Sequence, residues 1–127
     1  MELQRVMMVE DEPDIRLVAQ MALESIGGYT VRTCSSGAEA VEAVGEFAPD
    51  IVLLDVMMPG MDGPTTLGRL RSTTAGGAVP IVFMTAKAQP QEVARYKSLG
   101  AIDVVAKPFD PLTLAEQIRD IWRRGHE

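Results

Sequence analysis

The sequence predicts an α/β domain: a doubly wound, five-stranded parallel sheet with helices on both faces. Strand-like and helix-like segments alternate about five times along the 127 residues, and this alternation is typical of a parallel sheet with right-handed crossovers. The strand-like segments are short apolar runs bounded by turn-forming residues, as in strands that are buried on both faces. Several runs end in a carboxylate, a hydroxyl or a lysine, at the edge where open α/β sheets place their functional groups.

The elements of the N-terminal half follow from apolar periodicity and from residues that start or stop helices. The segments are a strand at 6–9, a helix at 15–26, a strand at 29–34, a helix at 36–48 and a strand at 51–55. Apolar residues at helical spacing define the first helix, and Gly27-Gly28 ends it. The hydroxyl of Ser35 or Ser36 can cap the second helix.

The C-terminal half continues the alternation. Its segments are a helix at 64–72, a loop at 73–79, a strand at 80–84, a helix at 90–99, a strand at 103–106 and a last helix. Gly76-Gly77 marks the loop, and Gly100 is a natural stop for the fourth helix. Asp110-Pro111 predicts the start of the last helix, because proline is favoured at the first helical position. The apolar stripe of that helix is Leu114, Ile118, Ile121 and Trp122.

Two acidic sites follow strands that a parallel sheet would end side by side. Glu10 and Asp11 come after the first strand, and Asp55 ends the third. Three clustered carboxylates repel one another, so their proximity favours a bound cation. Because the ligands are oxygens, with no cysteine or histidine nearby in the sequence, the expected cation is a hard ion, Mg²⁺.

A hydroxyl and a lysine complete the predicted site. Thr85 follows the fourth strand and Lys107 follows the fifth. A hydroxyl, an ammonium and a metal around one carboxylate make a phosphoryl-transfer site with Asp55 as the nucleophile. The alternative for each residue is structural: a carboxylate or lysine in solvent, or a β-branched residue that finishes a strand.

Five short motifs, each at a predicted strand end, carry a resemblance to a known family. They are Val-Glu-Asp-Glu at 9–12, Leu-Leu-Asp at 53–55, Met-Pro-Gly-Met-Asp-Gly at 58–63, Thr-Ala-Lys at 85–87 and Lys-Pro-Phe at 107–109. With these motifs in this order, the chain resembles the receiver domains of bacterial two-component response regulators, as one domain over residues 1–127. The resemblance implies a flavodoxin-like fold with strand order 2-1-3-4-5, whose switch point lies beside Asp11 and Asp55.

The resemblance also implies a role for each site residue. Asp55 would accept a phosphoryl group from a histidine kinase or a histidine phosphotransfer protein. Lys107 would pair with Asp55 at rest and with the phosphoryl oxygens afterwards, and Thr85 would donate its hydroxyl to them. The implied Mg²⁺ ligands are Asp11, Asp55, the main-chain carbonyl of Met57 and, through a water, Glu10.

Two positions near the lysine bear on how such a site works. In the family, a cis bond can precede the proline after the site lysine, so we expect one at Pro108. Receivers commonly carry a tyrosine or phenylalanine three residues before that lysine, and its rotamer reports phosphorylation; this chain has Val104 there. Since valine cannot make that swing, we expect the surface to change less on phosphorylation, or differently.

Composition and charge exclude several classes of protein. Hydrophobic residues make up 46% and charged residues 24%, as in ordinary soluble globular domains. A formal net charge of −6 argues against direct contact with nucleic acid, because a phosphate backbone would be repelled. Apolar stretches are too short to cross a membrane, and the start lacks signal-peptide character. Because Cys34 is the single cysteine, an internal disulfide is excluded. We therefore expect a cytoplasmic protein without membrane insertion.

The leading hypothesis is a phosphorylation-operated signalling module and not an enzyme, since its chemistry would be limited to its own phosphorylation and dephosphorylation. It would act on an unknown downstream protein and could form a homodimer. One alternative is a phosphorylation-independent scaffold of the same fold, although such scaffolds usually lack one of the site residues. The other is a phosphohydrolase with an aspartyl nucleophile, which would need a second aspartate where this chain has Met57.

Overall fold

Five parallel strands form the central sheet of the computed structural model, which describes residues 2–125. The strands are β1 (Arg5–Val9), β2 (Thr30–Cys34), β3 (Ile51–Asp55), β4 (Ile81–Thr85) and β5 (Asp103–Ala106). Their order is β2-β1-β3-β4-β5, which confirms the order that the resemblance implies. Because the winding changes direction between β1 and β3, the carboxyl ends of these two strands border a crevice.

Helices cover both faces of the sheet. They are α1 (Pro13–Met21), continued by a π-helical turn (Ala22–Ile26), α2 (Gly37–Phe47), α3 (Gly63–Arg71), α4 (Pro90–Ser98) and α5 (Leu114–Arg124). One apolar cluster lies between the sheet and α2, α3 and α4, and the other lies between the sheet and α1 and α5. Successive strand residues alternate between the clusters: Met7 packs in the first and Met8 in the second. Within residues 2–125, no helix is both long and apolar enough to span a membrane.

Ser36 is the N-cap of α2, as one of the two predicted candidates. Its hydroxyl accepts a hydrogen bond from the backbone N–H of Glu39 at 3.1 Å. The Glu39 carboxylate in turn accepts bonds from the backbone N–H and the hydroxyl of Ser35, at 2.9 and 2.8 Å. These reciprocal bonds satisfy backbone donors that the first helical turn leaves unpaired.

The last helix begins later than the sequence predicts. Residues 111–113 form a turn, and α5 starts at Leu114 rather than directly after Asp110-Pro111. The Asp110 carboxylate accepts a hydrogen bond from the backbone N–H of Leu112 at 2.9 Å. The backbone carbonyl of Asp110 accepts another from the backbone N–H of Thr113 at 3.1 Å. The prediction was wrong because the aspartate side chain stabilises a local turn that competes with the helix.

Gly63 allows the start of α3 to lie against the end of β3. Its N–H donates to the carbonyl of Val56 at 2.9 Å. A Cβ atom at this position would lie 2.7 Å from the Asp55 carbonyl oxygen and 2.8 Å from the Val56 Cα, well inside van der Waals contact. A glycine here therefore fixes the distance between α3 and the strand that carries Asp55.

We expect Gly63→Ala to lower the free energy of unfolding by roughly 1–3 kcal/mol, because the backbone must shift to admit the methyl group. Urea denaturation measures this change. The matched control is Gly68→Ala in the same helix, where a Cβ atom meets open space. That variant should gain about 0.5–1 kcal/mol, because alanine loses less backbone entropy than glycine on folding. A similar change in the two variants would contradict the steric explanation.

Candidate functional site

Three carboxylates meet at the carboxyl ends of β1 and β3. Val9 is in register with Leu54, so Glu10, Asp11 and Asp55 follow at the same level. One oxygen of each carboxylate lies within 4.8 Å of the other two. Glu10 is 0% exposed and Asp55 is 3% exposed, whereas Asp11 is half-buried. The sheet therefore brings together the acidic residues that the sequence analysis selected, with Glu10 fully buried and Asp55 nearly so.

Lys107 contacts two of these carboxylates. Its backbone N–H donates to the carbonyl of Thr85 at 2.9 Å, which continues the pairing of β4 and β5 by one residue. Its ammonium nitrogen Nζ donates to Oε1 of Glu10 at 2.8 Å and to Oδ1 of Asp55 at 3.2 Å. The bond between Lys107 and Pro108 is cis. The sequence analysis missed the contact with Glu10, since no motif links two residues that lie 97 positions apart.

The pKa values of Asp55 and Lys107 are both raised, for different reasons. Burial raises the pKa of Asp55 to about 7, and the charge of Glu10 adds to this effect while Lys107 opposes it. For Lys107, burial acts to lower the pKa, but hydrogen bonds and ion pairs with Glu10 and Asp55 outweigh it, so its pKa is raised. The ammonium is thus held in its charged form between two carboxylates.

The residues of the cluster fit a divalent cation. One ammonium against three carboxylates leaves an excess of negative charge at the edge of the sheet. The donors are all oxygens, which hard cations prefer, and the half-buried Asp11 leaves an approach from solvent. A divalent ion would offset the repulsion between Glu10 and Asp55, which adds to the effect of burial on the pKa of Asp55.

Thr85 is the last residue of β4 and is 4% exposed. Asp55 is in register with Met84, so Thr85 lies one residue further along the neighbouring strand. Its hydroxyl oxygen accepts a hydrogen bond from the backbone N–H of Lys87 at 3.0 Å. A hydroxyl that accepts one bond can still donate its own hydrogen, which suits Thr85 to contact an anion bound at Asp55.

Met57 lies in the loop after β3 with its side chain 78% exposed. Its thioether therefore takes no part in the carboxylate cluster. The ligand that the sequence analysis expects from this residue is its main-chain carbonyl, and that expectation stays a prediction.

A parallel sheet of this strand order, with acidic residues, a threonine and a lysine at one edge, defines the class of receiver domains. A family model described as the response regulator receiver domain matches residues 6–119. The chain belongs to this family, and it is a receiver domain of two-component response regulators.

Several relatives and solved structures are similar to this chain. It is 40% identical over 122 residues to the transcriptional regulatory protein CseB of Streptomyces avermitilis, covering 95% of this chain and 50% of that protein. It is 37% identical over 124 residues to the DNA-binding response regulator MtrA of Mycolicibacterium smegmatis, covering 98% and 53%. The chemotaxis protein CheY4 of Vibrio cholerae superimposes with a TM-score of 0.85 at 28% identity, covering 94% and 98%. The chain thus spans about half the length of the curated relatives it matches.

Proposed function

We propose that this receiver domain takes a phosphoryl group onto Asp55 from a histidine kinase or a histidine phosphotransfer protein. The reaction would occur in the cytoplasm with Mg²⁺ bound, and it would change the surface that a downstream protein meets. The observation that carries this proposal is the position of the Lys107 ammonium, 2.8 Å from Glu10 and 3.2 Å from Asp55. It places a fixed positive charge beside a buried carboxylate, as phosphoryl transfer requires.

The chemistry follows from the atoms around Asp55. A carboxylate oxygen would attack phosphorus, forming a P–O bond as the P–N bond of the donor phosphohistidine breaks. The electron pair of the broken bond stays on the imidazole nitrogen. Lys107 and Thr85 would donate hydrogen bonds to the phosphoryl oxygens, as the resemblance implies. Mg²⁺, held by Asp11, Asp55, the Met57 carbonyl and, through water, Glu10, would neutralise charge on the phosphoryl group during transfer.

We propose self-phosphorylation and slow self-hydrolysis as the only reactions of the domain. An aspartyl-nucleophile phosphohydrolase would need an acid two residues after Asp55. Met57 occupies that position with an exposed thioether, which has no proton to donate. A phosphorylation-independent scaffold is less well supported, because the carboxylates, the threonine and the lysine are all present at one edge of the sheet.

An apolar groove beside the site supports a protein as the donor. The groove has a volume of about 230 Å³ and is lined by Asp14, Ile15 and Val18 from α1 and by Lys107, Pro108, Phe109 and Pro111 after β5. Next to it, Leu17, Met21 and Leu112 are more than half exposed, which is the character of an interaction surface. Because the donor phosphorus must reach Asp55 and Lys107 belongs to both the groove and the site, we propose that the donor protein covers this groove.

Incubation with acetyl phosphate and Mg²⁺, followed by measurement of the intact mass, tests the proposed function. We expect a gain of one phosphoryl group that hydroxylamine removes, as it does from acyl phosphates, and that a chelator prevents. Consumption of acetyl phosphate at a steady catalytic rate, without a phosphorylated protein, would favour the phosphohydrolase. No gain from acetyl phosphate or from a histidine-phosphorylated donor, with folded protein and bound Mg²⁺, would favour the scaffold.

Asp11→Ala should weaken Mg²⁺ binding by roughly tenfold or more, because the site loses one carboxylate ligand and its charge. Isothermal titration calorimetry measures the affinity. The matched control is Glu12→Ala, which removes an exposed carboxylate from the next position without touching the cluster. An affinity that is the same in Asp11→Ala and wild type, or equal losses in the two variants, would rule out Asp11 as a ligand.

A further inference from the structure

Helix α4 contacts the sheet through one aromatic side chain. Among residues 90–98, all of which the structure describes, Tyr96 is the one that is buried, at 4% exposed. The remainder of the helix is polar or partly exposed, and four of its residues are glutamine, glutamate, arginine and lysine. The position of α4 on the sheet therefore depends on how the Tyr96 ring packs.

The Tyr96 ring lies next to the strand that carries Thr85. It packs edge-to-face on Phe83, with the ring centroids 5.2 Å apart and an interplanar angle of 69°. Phe83 and Thr85 are two residues apart in β4, so they point to the same face of the sheet. Tyr96 also lines, together with Thr85, Ala86 and Lys87, a cleft of about 510 Å³. The ring thus contacts β4 through Phe83 and shares this cleft with the threonine and the loop that follows it.

Val104 leaves the room that the Tyr96 ring occupies. Val104 is in register with Phe83 on the adjacent strand, which places their side chains on the same face. It is half-buried and packs against the cluster that contains Phe83 and Tyr96. Since protein cores are close-packed, a large aromatic side chain at position 104 would compete with Tyr96 for the space above Phe83. The sizes of residues 96 and 104 are therefore complementary.

We propose that Tyr96 transmits phosphorylation of Asp55 to helix α4, and this inference rests on the function proposed above. At rest, the Thr85 hydroxyl oxygen accepts a bond from the Lys87 N–H at 3.0 Å. When Thr85 moves toward a phosphoryl oxygen to donate its hydroxyl hydrogen, its oxygen draws away from the Lys87 N–H and the loop that shares the cleft with Tyr96 changes. The ring then repacks against Phe83 and Val104, and α4 shifts with it. The surface of α4 is consequently the one that a downstream protein reads.

Fluorine NMR of protein labelled with 3-fluorotyrosine tests this inference directly. The chain has two tyrosines. Tyr29 packs in the cluster on the opposite face of the sheet, near the carbonyl of Ala115, and so supplies an internal control. Tyr96→Phe assigns the two resonances. On addition of acetyl phosphate and Mg²⁺ we expect the Tyr96 resonance to move and the Tyr29 resonance to stay in place.

The intact mass of the same sample separates this inference from the function on which it rests. A phosphoryl gain with a stationary Tyr96 resonance would overturn the role of Tyr96 and leave the proposed function intact. Absence of a gain in mass, both from acetyl phosphate and from a histidine-phosphorylated donor, would overturn both. A gain in mass together with a shift of Tyr96 alone supports both.

Substitutions at positions 96 and 104 test whether a structural effect alone explains the result. In Tyr96→Ala we expect full phosphorylation by mass, with less than half of the wild-type amide shift changes along residues 90–98, whereas Tyr96→Phe should keep them. Wild-type shift changes in Tyr96→Ala would overturn the inference.

Val104→Tyr should lower the urea midpoint of unfolding, because the larger side chain competes with Tyr96 for space. In the double variant Val104→Tyr with Tyr96→Ala, the midpoint should fall by less than the sum of the two single losses. Additive losses would show that the two side chains do not share one space.

Discussion

Asp55→Asn is expected to abolish the phosphoryl gain from acetyl phosphate, because the carboxamide has the shape of the carboxylate without its nucleophilic charge. Intact mass with hydroxylamine treatment measures the result. The matched control is Asp62→Asn in the loop after β3. Asp62 caps α3 by accepting a bond from the Thr65 N–H at 2.9 Å, and asparagine caps helices equally well. Labelling that persists in Asp55→Asn would place the acceptor elsewhere, and labelling that disappears in both variants would show that the loss is not specific to Asp55.

The same variant separates loss of chemistry from loss of folding. Because burial and Glu10 raise the pKa of Asp55 to about 7, the folded protein holds a proton on this carboxyl at a pH where the unfolded chain has released it. Between the unfolded value of 3.8 and about 7, the free energy of unfolding therefore falls as the pH rises, and above this range the full cost is present; asparagine does not carry it. Without Mg²⁺ at pH 8, Asp55→Asn should be at least as stable as the wild type in urea denaturation.

Lys107→Ala is expected to lower the free energy of unfolding by roughly 3 kcal/mol, because it leaves two buried carboxylates without their cation. That is a large share of the roughly 5–15 kcal/mol typical of a domain. Urea denaturation without Mg²⁺ measures the change, and Mg²⁺ should restore part of it. The variant should keep most of its Mg²⁺ affinity and lose much of its phosphorylation by acetyl phosphate.

Lys87→Ala is the control for this prediction, since Lys87 is exposed and lies in the loop after Thr85. Its removal should change stability by less than about 0.5 kcal/mol, as for most surface substitutions. Combination of Lys107→Ala with Asp55→Asn should lose less stability than Lys107→Ala alone, because one of the two uncompensated charges is gone. Equal stability of the Lys107→Ala and Lys87→Ala variants would contradict the role of Lys107 at the centre of the cluster.

The parts of the site that the sequence predicts are those fixed by strand ends. Glu10, Asp11 and Asp55 each follow an apolar run, and parallel strands end at the same edge, so the pattern places them at one edge of the sheet. Their proximity also needs β1 and β3 to be neighbours, which follows from the strand order that the resemblance implies. The bond between Lys107 and Glu10 could not be predicted in this way. It depends on how far a long side chain reaches across the sheet and on which oxygen it meets there.

Two further features of the structure differ from, or go beyond, what the sequence predicts. The contact between Tyr96 and Phe83 depends on strand order and register, which the spacing of apolar residues does not contain. The start of α5 was misplaced because an Asp-Pro pair is compatible both with a helix N-terminus and with a turn. The hydrogen bonds that Asp110 accepts stabilise the turn.

The two apolar clusters on opposite faces of the sheet have an evolutionary consequence. The donor groove belongs to the α1 and α5 layer, whereas Tyr96 and α4 belong to the other. If both proposals hold, substitutions in the α1 and α5 layer can change which phosphodonor binds the domain without altering the downstream protein that binds α4. Substitutions in the other layer can likewise change the downstream protein without altering the donor. Evolution could therefore change donor specificity and target specificity in separate steps, while the phosphorylation site around Asp55 stays the same.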